Sequence, residues 1–463
     1  DVYVLIENYA QAPPDPNGNL PFVFSDLHVS RTYAYRASGP FASALVRCTY
    51  DATLQYSGGA TNLCPLSTLP FLDQATMSAV PTVDQIMDRV VVSHDWMGEV
   101  FEQLLRTQAT PDILRLFNGV TAIVIGAQVR PSFYYALTGA IYLDADNFWL
   151  TAAQRDVINE APDFRSDFDR DLMYSGVWRY VANNESIFLP FPATSRISRD
   201  LSYLLREAGW LLYHELAHAS DFMPPAARGT LNNTLSAWEN VRPRFEARQL
   251  PSDQVSGSFA LQSAQMTALA QVKFLGATAT ATQRAYTPND VANFFAPDRA
   301  TDEYSYSSTR EDLAMTFEEF MMVRNHGWRR DVAITDKIGP STTSASLIVR
   351  FGQRGRIGET LIKPRAQLAV QQLAPWVLQA DANAVNNLSA PIAMRAGDSW
   401  ANNLIVPTPP GGMVGPLSLR TPRDFASDRL LLQRAMSTPH GSAGHRGHWT
   451  PNDRWLNRNG ASR

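Results

Sequence analysis

The stretch "GWLLYHELAHASDF", Gly209 to Phe222, constrains this chain more than any other. With Leu201, Leu204, Leu205, Ala208 and Leu212 before it, its apolar residues recur at helical spacing and predict a helix over Arg199 to Asp221. Ser198 or Thr194 is available to cap that helix, and Pro224 and Pro225 cannot continue it. Into an element built for burial the sequence sets His214, Glu215, His218 and Asp221. A buried charge or unpaired imidazole is strongly destabilising unless something compensates it. The fold must therefore supply a partner for these residues.

"HELAH" has the form H-E-x-x-H. Residues i and i+4 of a helix stand one above the other on one face, so both imidazoles can reach a single Zn²⁺. Glu215, one position on, points beside the metal and is placed to take a proton from water and pass it to a leaving amine. A catalytic zinc needs a third protein ligand, and no third histidine follows at the short spacing, which puts Asp221 three residues after His218. A carboxylate from a later helix is the alternative: Glu239 in "SAWENVR", or Glu311 in "STREDLAMTFEEF", which is preferred. Ser308 and Glu311 also read as a capping box, a second use for the same carboxylate. Glu318 and Glu319 read as carboxylates behind the ligands or on the surface, and Asp221 as a group able to hold a metal-bound imidazole by its outer N–H.

"HELAHASD", followed much later by Tyr304 and by "EDLA" opening at Glu311, resembles the gluzincin peptidases of the anthrax lethal factor and Mlc titration factor group. That resemblance implies a zincin-like metallopeptidase domain in which His214, His218 and Glu311 bind Zn²⁺, Glu215 is the general base and Tyr304 donates to the developing oxyanion. Tyr306 is close enough to compete for the last role. The implied activity is hydrolysis of peptide bonds in a polypeptide substrate. A catalytically idle zincin fold, serving as a structural or peptide-binding component of a cell-surface assembly, is the alternative that the long flanks keep open.

The rest of the chain frames this motif. At 463 residues, 45% hydrophobic and 18% charged, it can bury a large core, and a net charge of −4 without charged runs gives no basic footprint for nucleic acid. The expected class is α+β, in three regions: 1–80, irregular β and loop; 81–336, the zincin-like catalytic domain; 337–463, a C-terminal extension. "DVYVLIENY" at the start is β-like, Thr82 to Thr107 has helical spacing for one long helix or two in succession, and "VTAIVIGAQV" and Gly139 to Leu143 read as strands. Asp144, Asp146 and Asn147 have the oxygen character Ca²⁺ prefers, but without an EF-hand pattern an Asx-rich turn is the better reading. Beyond residue 337 come a strand-like "ASLIVRFG", an amphipathic "AQLAVQQLAPWVLQADANAV" and the linker-like "VPTPPGGMVGP". His28, His94 and His326 read as structural, and His440, His445 and His448 as part of a polar, Gly-rich tail.

Cys48 and Cys64 flank a Gly-containing loop and read as a disulfide. With a start at Asp1 rather than Met, this points to an exported protein of the bacterial periplasm, cell surface or extracellular space. Lysine stands only at Lys273, Lys337 and Lys363, as the base composition of a GC-rich bacterial genome would give. No apolar run is long enough to span a membrane, which leaves peripheral or lipid attachment open.

Overall fold

Val90, Val91 and Val92 interrupt the helical spacing between Thr82 and Thr107. In the computed structural model a short helix, Val83–Met87, starts at a capping box between Thr82 and Gln85; a strand, Val90–Val92, follows before the helix Asp95–Thr107. The expected single helix, or helix pair, is thus split by a strand. Three successive β-branched side chains, all buried, fit a covered strand better than a helix face. The structure describes residues 32–51, 54, 56–57, 60–159, 168–406 and 425–436. The expected strand at Asp1 to Tyr9, His28, the linker-like stretch after Val406 and the His440, His445 and His448 cluster lie outside them.

The described residues fall into two compact units, each assembled from separate stretches of chain. Residues 32–159 and 198–254 make the first. Its sheet has strands β1 (Tyr33–Ala34), β2 (Val90–Val92), β3 (Ile123–Gly126), β4 (Phe133–Tyr135) and β5 (Ala140–Asp144), in the order β1-β2-β3-β5-β4. The three middle strands run parallel, with Val90 opposite Ile123 and Ile123 opposite Ile141; β1 and β4 are antiparallel edges. Every residue of β2 to β5 is buried, the unbroken apolar pattern of strands covered on both faces. Helices α1 (Asp95–Thr107) and α2 (Leu201–Phe222) pack against this sheet and each other. The Cys48–Cys64 disulfide is present, joining the end of the helix Ala42–Thr49 to the segment before Pro65.

The second unit comprises residues 168–197, 255–406 and 425–436. Its sheet has strands β6 (Tyr174–Ala182), β7 (Glu185–Ser186), β8 (Arg329–Asp336), β9 (Val349–Arg354) and β10 (Ile392–Ala393), antiparallel throughout, in the order β10-β9-β8-β6-β7. The long pairing of β6 with β8 sets Trp178 opposite Val332 and Arg329 opposite Val181. Helices α3 (Ala264–Leu275) and α4 (Thr309–His326) belong to this unit. The amphipathic stretch beyond residue 363 forms two helices, Lys363–Leu373 and Pro375–Ala380, broken where the Pro375 ring and missing N–H end the first. Helix and strand are mixed, as the α+β class requires. Among the described residues no helix is long and apolar enough to cross a membrane.

Candidate metal centre

Helix α2 is capped neither by Ser198 nor by Thr194 but by Asp200, whose carboxylate accepts the Ser202 N–H at 2.8 Å. A carboxylate there also complements the positive end of the helix dipole. At the other end Arg228 Nε donates to the Met223 carbonyl at 3.0 Å and Arg244 Nη2 to the Phe222 carbonyl at 3.1 Å. Two arginines thus satisfy carbonyls that the end of a helix leaves without an internal partner. From Glu207 to Phe222 every residue is buried, so the chemistry-bearing face lies within the protein.

His214 and His218 are one turn apart, with their Nε2 atoms 3.0 Å from each other and ring planes at 73°. Glu215 is completely buried beside them in sequence. Asp221 accepts from the Ser252 N–H at 2.8 Å and the Ser252 hydroxyl at 2.6 Å, bonds that hold the end of α2 to the start of the helix Pro251–Ser258.

Glu311 lies in the first turn of α4. Ser308 caps that helix by accepting the Glu311 N–H at 3.2 Å, but the reciprocal bond from the Glu311 carboxylate, which would complete a capping box, is not formed. Glu239 behaves in the opposite way. Its carboxylate returns to the Ser236 N–H at 2.8 Å and hydroxyl at 2.7 Å and closes a full capping box. Among the described residues one group could hold a metal ion: His214, His218 and Glu311, all buried, with ligand atoms within 4.8 Å of one another. Two imidazole nitrogens and a carboxylate oxygen form a donor set suited to a divalent transition metal. Glu239 is not in the group. Neither are Asp144 and Asp146, whose carboxylates accept from the Asp146 N–H and from Trp149 Nε1 in a turn of the Asx type.

Tyr304 and Tyr306 share a short 3₁₀ turn, Glu303–Tyr306, and differ in what they touch. Tyr306 donates its hydroxyl to Asp298 at 2.9 Å, and burial, then the Asp298 charge, push its pKa up. Tyr304 is buried with its ring edge-on to Phe274, centroids 5.0 Å apart.

Glu318 and Glu319 are not surface carboxylates. Both are fully buried, because α4 is covered on all sides from Arg310 to Met322. Tyr180 donates to Glu318 at 2.8 Å, Arg330 lies 3.7 Å from Glu318 and 3.3 Å from Asp302, and the Ile357 N–H donates to Glu319 at 3.1 Å. Burial raises the Glu319 pKa to about 8 despite the pull of Arg330. Next to them Lys273 is ion-paired with Glu303. Gly176 on β6 makes room for that carboxylate, since a Cβ there would come within 2.0 Å of Glu303 Oε1. This buried charge network carries no local sequence signal; its partners meet through the pairing of β6 with β8 and the packing of α3 and α4 against the turn Glu303–Tyr306.

Compared with protein-family models, curated proteins and solved structures, the chain matches none.

Proposed function

We propose that this protein is a zinc-dependent metallopeptidase. The observation that carries the reading is the choice of partner: of the two later glutamates open to the histidines, the one gathered with them is Glu311, and its rival Glu239 is spent on a helix cap. The likeness of "HELAHASD" and "EDLA" to the gluzincin group supports it, and a zincin-like fold is part of the proposal. His214, His218 and Glu311 would hold the zinc. Bound there, the ion would supply Lewis acidity toward a carbonyl and a nucleophile at neutral pH. Glu215 takes the proton from the attacking water and delivers it to the leaving amide nitrogen, which departs as an amine. Tyr304, the position that the resemblance marks, donates to the oxyanion, and the Tyr306 hydroxyl is held by Asp298. The substrate is a polypeptide. A disulfide belongs to an oxidising compartment, so we place the enzyme outside the cytosol.

The test is hydrolysis of a mixed peptide library by the metal-loaded chain and by Glu215→Gln. The variant should bind as much zinc as the parent and lose about 10²-fold or more in rate, the usual worth of a general base. A parent that cleaves no peptide while holding one zinc would instead favour the idle zincin scaffold.

A further inference from the structure

The second unit carries a pocket whose lining shares no residue with His214, His218 and Glu311. Its volume is about 140 Å³ and it opens to solvent. That is room for a small organic group rather than for a single water. Val323, Ile357 and Leu388 supply apolar wall, and Arg329, Asn387 and Ser389 supply polar groups.

Its walls are fixed. Lys363 Nζ donates to the carbonyls of Asn386 and Leu388, both at 2.8 Å, and so pins the loop that forms one side. Gly358 lets that loop approach the opposite turn, since a Cβ there would lie 1.9 Å from the Ser389 carbonyl oxygen. On the floor, Gly355 has φ +71°, a left-handed conformation that glycine adopts without strain. Its N–H is spent on the Arg330 carbonyl at 2.7 Å.

Arg329 is the group without an assigned task. It opens β8, is half-buried, and lines the pocket, and among the described residues its guanidinium has no hydrogen-bond or ion-pair partner. Glu359, the acid on the neighbouring turn, instead accepts from Gln353 Nε2 at 2.7 Å. A guanidinium is a planar fork suited to a carboxylate, and beside an apolar wall it selects an anion with an apolar substituent.

We propose that this pocket binds a carboxylate bearing a branched or aromatic apolar group, with the carboxylate on Arg329 and the substituent against Val323, Ile357 and Leu388. The source is either a free small acid or the C-terminal residue of a polypeptide. The proposal does not depend on the peptidase reading.

Calorimetric titration of the full chain with N-acetyl-leucine and with N-acetyl-leucinamide tests it. The acid should bind saturably and at least about tenfold more tightly than the amide, and R329Q should lose about tenfold in affinity for the acid. N387D, on the exposed rim, puts a like charge beside the carboxylate and should also weaken binding; it carries the test if R329Q fails to fold. Equal binding of acid and amide, no saturation by about 20 mM, or both variants binding as the parent does would overturn the proposal. A longer peptide ending in free leucine that binds more tightly than the acetylated residue assigns the site to polypeptide ends. Equal or weaker binding assigns it to small free acids.

Discussion

Two glutamates at equivalent helix positions show how one residue type is put to different uses. Glu239 and Glu311 both stand third in their helices behind a serine cap, yet only Glu239 returns its carboxylate to that cap. The sequence alone left Glu311 open for both tasks and offered Glu239 only as a ligand, because a capping box and a metal ligand ask for the same residue. Glu311→Ala should therefore abolish metal binding, read as zinc per chain by elemental analysis. Glu239→Ala should keep the metal and cost about 1 kcal/mol through loss of its cap. Metal retained in Glu311→Ala would remove it from the ligand set. Glu319 makes a second residue-scale case. Its folded pKa is raised from 4.5 to about 8, so between those values the folded state binds more protons than the unfolded one. The stability it contributes is fully present below about pH 4.5 and is lost as pH rises through 8. The charges that face it are Arg330, Glu318 and Asp302. Urea unfolding at pH 5, 6.5 and 8 should show the parent losing on the order of a few kcal/mol across this window and Glu319→Gln losing much less. Parallel curves for the two proteins would rule this out.

At the scale of elements, helix α2 was legible because its period, its Pro stop and its H-E-x-x-H motif all agree. Its cap was not, since Asp200, Ser198 and Thr194 are all competent and only the path of the chain chooses among them. The strand Val90–Val92 was missed for a related reason: a helical period on both sides outweighs three residues whose stability comes from pairing with Ile123 to Ile125. Helix α4 is the later helix expected to carry Glu311, and Gly327 in the left-handed conformation ends it, but its all-round burial was not readable because its acids look like a solvent face. Asp221 ties α2 to the next helix through Ser252, itself 1% exposed. Asp221→Ala would leave a buried N–H and hydroxyl without their acceptor, a loss of about 1–3 kcal/mol. Chemical denaturation of the variant measures it, and an unchanged midpoint would mean that the serine finds another acceptor.

Across the whole molecule, what a sequence read in chain order does not reveal is that both units are discontinuous. The first closes on itself where segments distant in sequence meet: Pro65 pairs with Ser236, the Leu66 N–H donates to the Leu235 carbonyl at 2.9 Å, and Gln74 Nε2 donates to Asn233. The stretch after Cys64 is thus held on one side by the disulfide and on the other by the chain that follows helix α2. Here the cysteine pair was legible and its partner segment was not, because a spacing of two cysteines says nothing about what lies against the loop they close. Cross-linking residues 16 apart removes freedom from the unfolded chain worth about 3 kcal/mol. Replacing Cys48 and Cys64 together by serine should lower the calorimetric melting midpoint by roughly 5–10 °C. The parent in reductant should shift by the same amount and the variant should not respond to reductant at all. A variant that melts with the oxidised parent would show that the loop is held by its pairing with residues 233–236, and that the covalent bond adds nothing to it.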